Sequence, residues 1–124
     1  MNEQQFIELT NGWIDIEQSL TKYTSKCTDE EKVFMINKFC ETRNNTNTLL
    51  VKYITQDIPL GLRVADNLGE IVDVLISAFW EFVEGENTVY YYTYDEDGEQ
   101  QQQEIVTAQD LYNCFETSKQ ALWH

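Results

Sequence analysis

Between Val64 and Ser118 the chain has no lysine and no arginine. Over the same 55 positions it carries thirteen carboxylates. A surface so one-sided repels phosphate backbones and anionic membranes, so direct binding to either is disfavoured. The only histidine is His124. Without an internal histidine, nucleophilic catalysis by serine or cysteine has no obvious base, and Glu-x-x-His di-metal sites cannot be assembled. Cys27, Cys40 and Cys114 form no CxxC pair, which removes the usual zinc spacings and fits reduced thiols in an intracellular protein. No Gly-rich phosphate loop occurs. No apolar run approaches the ~20 residues of a membrane span; Ile71–Val83 comes nearest, and Asp73 and Glu81 interrupt it. The first residues, Met-Asn-Glu-Gln-Gln, have neither the basic nor the apolar region of a secretory signal. The expectation is a cytoplasmic protein with no cofactor and no metal.

What is present is a foldable composition. Of 124 residues, 42% are hydrophobic and 13% aromatic, despite a net charge of −14. That excludes a disordered acidic tail and suits one acidic globular domain over residues 1–124. The charge is segregated. Residues 1–21 carry −4, residues 22–63 carry +2, residues 64–118 carry −13 and residues 119–124 carry +1.

Apolar spacing predicts an α+β fold, mostly helical, with about four helices and one β-hairpin near the C-terminus. Phe6, Leu9, Trp13, Ile16, Leu20 and Tyr23 recur at steps of three and four, which predicts a helix over roughly 3–23, with room for a kink at Asn11-Gly12. Thr28 and Glu31 form a capping box that opens a second helix. Its inward face is expected at Val33, Ile36, Phe39 and Cys40. Asn44-Asn45-Thr46-Asn47 has poor helix propensity and is expected to end it. Residues 49–55 read as a separate short helix or a strand, with the helix preferred, before a loop at Pro59 and Gly61. Residues 63–84 give the strongest helical signal, and Gly85 is placed for a left-handed cap. Thr88–Tyr94 and Glu99–Val106 then read as two strands joined by the turn Asp95–Gly98. Thr107 caps a last helix with Leu111, Cys114, Phe115 and Leu122 inward.

The candidate site lies on helix 63–84. At ~100° per residue, Asp66, Glu70, Asp73, Glu81 and Glu84 share an arc of about 80° opposite the apolar face. The row runs about 27 Å, and its loose spacing approximates the ~3.4 Å phosphate repeat of one DNA strand only coarsely. Like charges at this spacing weaken the helix by roughly 0.2–0.5 kcal/mol per pair, a cost that solubility alone does not require. Val74 and Trp80 flank the row. Trp80 either closes the edge of the core or anchors an interface, and is carried among the candidates. The hairpin turn adds Asp95, Glu96, Asp97 and Glu99.

Residues 93–104 also resemble part of an EF-hand calcium loop, through Asp95, Asp97, Gly98 and Glu104. Thr93 stands where that loop begins with Asp, Gln100 where it is usually aliphatic, and a strand precedes it where a helix should. An acidic hairpin turn is the better reading.

In composition and charge layout the chain is similar to the acidic DNA-mimicking inhibitors of phages and mobile elements, which include anti-CRISPR and antirestriction proteins. The resemblance aligns no motif and assigns no residue. It implies a non-enzymatic inhibitor that occupies a basic, nucleic-acid-binding protein. An acidic immunity protein against a basic toxin belongs to the same class. The alternative is a structural or assembly subunit that self-associates, for instance as a homodimer, through the apolar stripe 6–23 or the hairpin edge.

Overall fold

The computed structural model describes residues 1–56 and 66–121. The elements, in order, are α1 (Glu3–Thr24), α2 (Asp29–Thr55), α3 (Asp66–Glu84), β1 (Val89–Tyr94), β2 (Gln100–Ile105) and α4 (Ala108–Ala121). This is the expected mostly helical α+β chain with one hairpin. The proposed Pro59–Gly61 loop, residues 63–65 of the third predicted helix and Leu122 lie outside the described residues.

Local chemistry sets the element starts. Asn2 and Gln5 satisfy each other's backbone N–H groups at the start of α1. Thr28 Oγ1 accepts from the Glu31 N–H at 3.2 Å and caps α2. At α4 the cap is reciprocal: Thr107 Oγ1 accepts from the Asp110 N–H, and Asp110 Oδ2 accepts from the N–H groups of Val106 and Thr107. Gly85 adopts φ +71° just past α3, a left-handed conformation in which a side chain would be strained.

Phe6 of α1 is fully buried at the centre of the core. Its ring meets Tyr53 of α2, Phe79 of α3, and Tyr112 and Phe115 of α4, with centroids 4.9–6.3 Å apart. One aromatic therefore ties all four helices together. Burying each such side chain contributes roughly 1.5–3 kcal/mol. The antiparallel hairpin (Val89↔Ile105 through Tyr94↔Gln100) joins the core at its base through Val89 and Ile105, both buried. That anchorage meets the need of a two-stranded hairpin to pack on something larger.

Two expectations are corrected. First, α2 does not end at Asn44–Asn47; it runs unbroken to Thr55 and absorbs the segment read as a separate helix or strand. Two of the four polar residues that suggested a stop, Thr46 and Asn47, have tertiary partners. Thr46 Oγ1 accepts the indole N–H of Trp13 at 3.0 Å, and Asn47 Oδ1 accepts that of Trp80 at 2.6 Å. The Thr42, Thr46 and Thr48 hydroxyls donate to carbonyls one turn back, so they bond along the helix rather than compete with it.

Second, Val33, Ile36 and Cys40 are exposed rather than inward. The last turn of α3 meets α2 at Arg43, where Arg43 pairs with Glu84 at 3.5 Å. The stretch 29–42 runs on beyond this contact, over about 21 Å of helix. Only the seam toward α1, marked by Met35 and Phe39, is partly covered there. The α1 stripe divides in the same way: Phe6 and Trp13 are buried, whereas Ile16 is 41% exposed on the projecting arm. α1 is helical throughout Asn11-Gly12.

Candidate partner-binding face

α3 presents its acidic row as a consequence of its own amphipathicity. Leu75, Phe79 and Val83 are buried, which turns Glu70, Asp73 and Glu81 to solvent. Among the described residues none of these three carboxylates has an ion pair. Asp66 is the first residue of α3, and its side chain lies outside the described set. Glu84 is placed differently: Arg43 of α2 reaches it, so the end of the row is partly neutralised from another helix.

Trp80 is a core residue, which corrects its place among the binding candidates. It is 5% exposed and stacks edge-on against Trp13 and Phe79 at 4.8 and 4.9 Å. The guanidinium of Arg43 covers it at 4.3 Å from the ring centroid. On the helical wheel Trp80 lies beside the apolar arc, and the packing of α2 extends burial over that edge.

The row is also interrupted. Ser77 lies midway between Asp73 and Glu81 on the same face and is exposed. Here α3 and β1 enclose a shallow groove of about 440 Å³. Asp73, Val74, Ser77 and Glu81 form one wall and Tyr90 and Tyr92 the other. Val74, Tyr90 and Tyr92 are 66%, 49% and 54% exposed. Strand alternation produces this wall: Val89 is buried and Tyr91 is packed against the core, while Tyr90, Tyr92 and Tyr94 face out. The site therefore combines charge with aromatic surface. Ser77 and the tyrosines lie outside the carboxylate row that the sequence marks, although the period-two pattern of β1 distinguishes the outward tyrosines.

The hairpin turn divides its carboxylates between structure and surface. Asp95 Oδ1 accepts from the N–H groups of Asp97 and Glu99, at 3.0 and 2.8 Å, and its Oδ2 accepts from the Gln101 amide. Asp95 thus holds the turn, with Gly98 at φ +79°, and Glu96, Asp97 and Glu99 present the outward charge. Glu104, the last position of the EF-hand-like stretch, pairs with Tyr90 at the other end of the hairpin. Four strand residues, 100–103, separate it from Glu99 at the turn, about 17 Å away. Among the described residues no three metal-ligating side chains converge.

Two further polar groups lie inside the body. Tyr53 donates its hydroxyl to Glu116, which also meets Lys119 at 3.4 Å, and the Lys119 ammonium sits 4.3 Å over the Tyr53 ring. Burial, then the bond to Glu116, pushes the Tyr53 hydroxyl far above its ordinary range, so it does not ionise near neutral pH. Burial likewise pushes the Cys114 thiol up to about 11, which makes it a poor nucleophile. At the end of α3, burial and the charge of Glu84 raise the pKa of Glu17, and Arg43 partly offsets them.

No family model matches the chain, and no curated protein or solved structure shows a significant match to it.

Proposed function

We propose that this chain is a small, non-enzymatic, cytoplasmic interaction protein that inhibits a basic, nucleic-acid-binding protein by occupying its cationic surface. The observation that carries the reading is the unneutralised face of Glu70, Asp73 and Glu81 beside the outward tyrosines, continued by Glu96, Asp97 and Glu99 at the hairpin turn. These carboxylates pair with lysines and arginines that otherwise hold phosphates. The long-range field speeds encounter, and docking excludes nucleic acid sterically. The broken row argues against a close copy of a phosphate ladder. Val74, Tyr90 and Tyr92 supply apolar contact that a bare duplex backbone lacks, and tyrosine is prominent among binding hot spots. An acidic immunity protein for a basic toxin operates by the same chemistry.

The test is affinity capture from a host lysate at low ionic strength, followed by displacement of nucleic acid from the captured protein. The expected result is a basic nucleic-acid-binding protein that elutes with salt and loses its nucleic acid as the chain is added. Capture that is indifferent to salt, or a captured protein that keeps its nucleic acid, contradicts the reading.

The second reading, self-association, draws on a different observation, the uncovered apolar arm formed by α1 and α2.

A further inference from the structure

A second exposed apolar patch lies apart from the acidic face of α3. Beyond the end of α3, the second half of α1 and the first half of α2 flank an open groove of about 250 Å³. Trp13, Ile16 and Leu20 line it from α1, and Phe34, Met35 and Phe39 from α2. Phe34 stands at its edge, 64% exposed. A phenylalanine open to water to this extent forfeits much of the roughly 1.5–3 kcal/mol its burial would contribute. The patch therefore carries both a protruding ring and a recess of a size to receive one.

Charge selects the occupant. A second copy of a −14 chain is repelled by most of this surface, because the −13 stretch lies on α3, the hairpin and α4. The arm, residues 13–42, carries both signs, with six acidic and four basic residues. Lys38, which also pairs with Glu41 on its own helix at 3.5 Å, lines the groove on α2, and Asp15 lines the adjoining hollow that shares Ile16, Leu20 and Met35. One patch thus holds a knob, a recess, a cation and an anion. A two-fold interface requires that kind of self-complementarity, since the same surface faces itself. Aromatic residues and methionine are also enriched at interface centres. Two projecting helix pairs laid face to face make a four-helix arrangement, the usual way such layers cover their apolar sides.

We propose that the chain forms a two-fold homodimer through this arm. Phe34 of each copy seats in the α1–α2 groove of the other, and Asp15 faces Lys38 across the axis. The two acidic α3 faces then remain on the outside and act as a bivalent unit. This dimer stands independently of what the acidic face binds.

Sedimentation velocity of the full chain across a micromolar to millimolar range, at moderate salt, tests the proposal. The expected result is a reversible shift from a species of 14.6 kDa to one of twice that mass. Phe34→Asp is expected to hold the chain monomeric throughout with its helical circular dichroism intact, since the ring is mostly exposed and outside the core. Asp15→Lys is expected to weaken the dimer at least several-fold, and the double swap Asp15→Lys with Lys38→Asp to restore it. A monomer at every concentration overturns the proposal. So does a dimer that survives Phe34→Asp, or a double swap no better than Asp15→Lys alone.

Discussion

At the scale of single residues, the tryptophans explain the polar run of α2. Trp13 and Trp80 are both buried, and each needs a partner for its indole N–H. Thr46 and Asn47 provide them. Read as sequence, Asn44–Asn47 resembles a stop signal because propensity is local, whereas the acceptors are required by residues 33 positions away on other helices. Thr46→Val keeps the shape but leaves the Trp13 N–H buried without a partner. The expected cost is about 1–3 kcal/mol in denaturant unfolding. An unchanged midpoint would show that the bond contributes nothing net.

Two carboxylates titrate with opposite sign. The backbone N–H groups of Val106 and Thr107 hold Asp110 below its ordinary pKa. Its contribution is complete above the ordinary carboxylate range and is lost as pH falls through the lowered value. Asp110→Asn should therefore cost stability at neutral pH, by about 0.5–1 kcal/mol, the lower part of the capping range because solvent screens the group. The difference should vanish in acid. Glu17 is the reverse case: burial and Glu84 raise its pKa, so its ionisation weakens the fold as pH rises through that raised value. Glu17→Gln should raise Tm at neutral pH and change nothing below the ordinary carboxylate range. Thermal melts of both variants across acid and neutral pH check the two signs.

At the scale of elements, the strongly periodic segments were legible. The α1 helix, the α3 face, the hairpin with its Gly98 turn and the Thr107 cap are all found where the pattern puts them, because each signal arises within the element itself. The outward direction of Val33 and Ile36 was not legible. Their spacing fits an inner face, and only the position of Arg43 against Glu84 shows that α3 ends before reaching them. Glu70, Asp73 and Glu81 are exposed on the face of α3 opposite its apolar side, where the helical period puts them. The loss of Glu84 to Arg43 and of Trp80 to the core depends on α2, which no pattern within α3 can reveal. The continuity of α2 has a direct consequence for amide exchange. Backbone N–H groups of residues 44–50 should be protected as a continuous stretch, matching the core of α2. A gap of fast exchange at 44–47 would mean that the helix is broken there.

At the scale of the whole molecule, the acidic residues repel one another on a body held together by a central aromatic cluster. Screening relieves that repulsion. The Debye length falls from ~30 Å at 0.01 M to ~8 Å at 0.15 M, so Tm should rise with salt over that interval. A Tm that falls over the same range would indicate that favourable ion pairs outweigh the repulsion. The sequence shows the sign and segregation of this charge in full. It does not show that the apolar arm lies apart from the acidic face, since that separation depends on how α1 and α2 outreach α3.

The central claim is that the α3 face engages cations on another molecule and does more than keep the chain dissolved. Its most direct test is parallel capture with the native chain and with a Glu70→Lys, Asp73→Lys, Glu81→Lys variant that shows the same circular dichroism and melting behaviour. The native chain is expected to retain a basic nucleic-acid-binding protein that salt releases and that the variant fails to hold. Equal retention by both chains would contradict it.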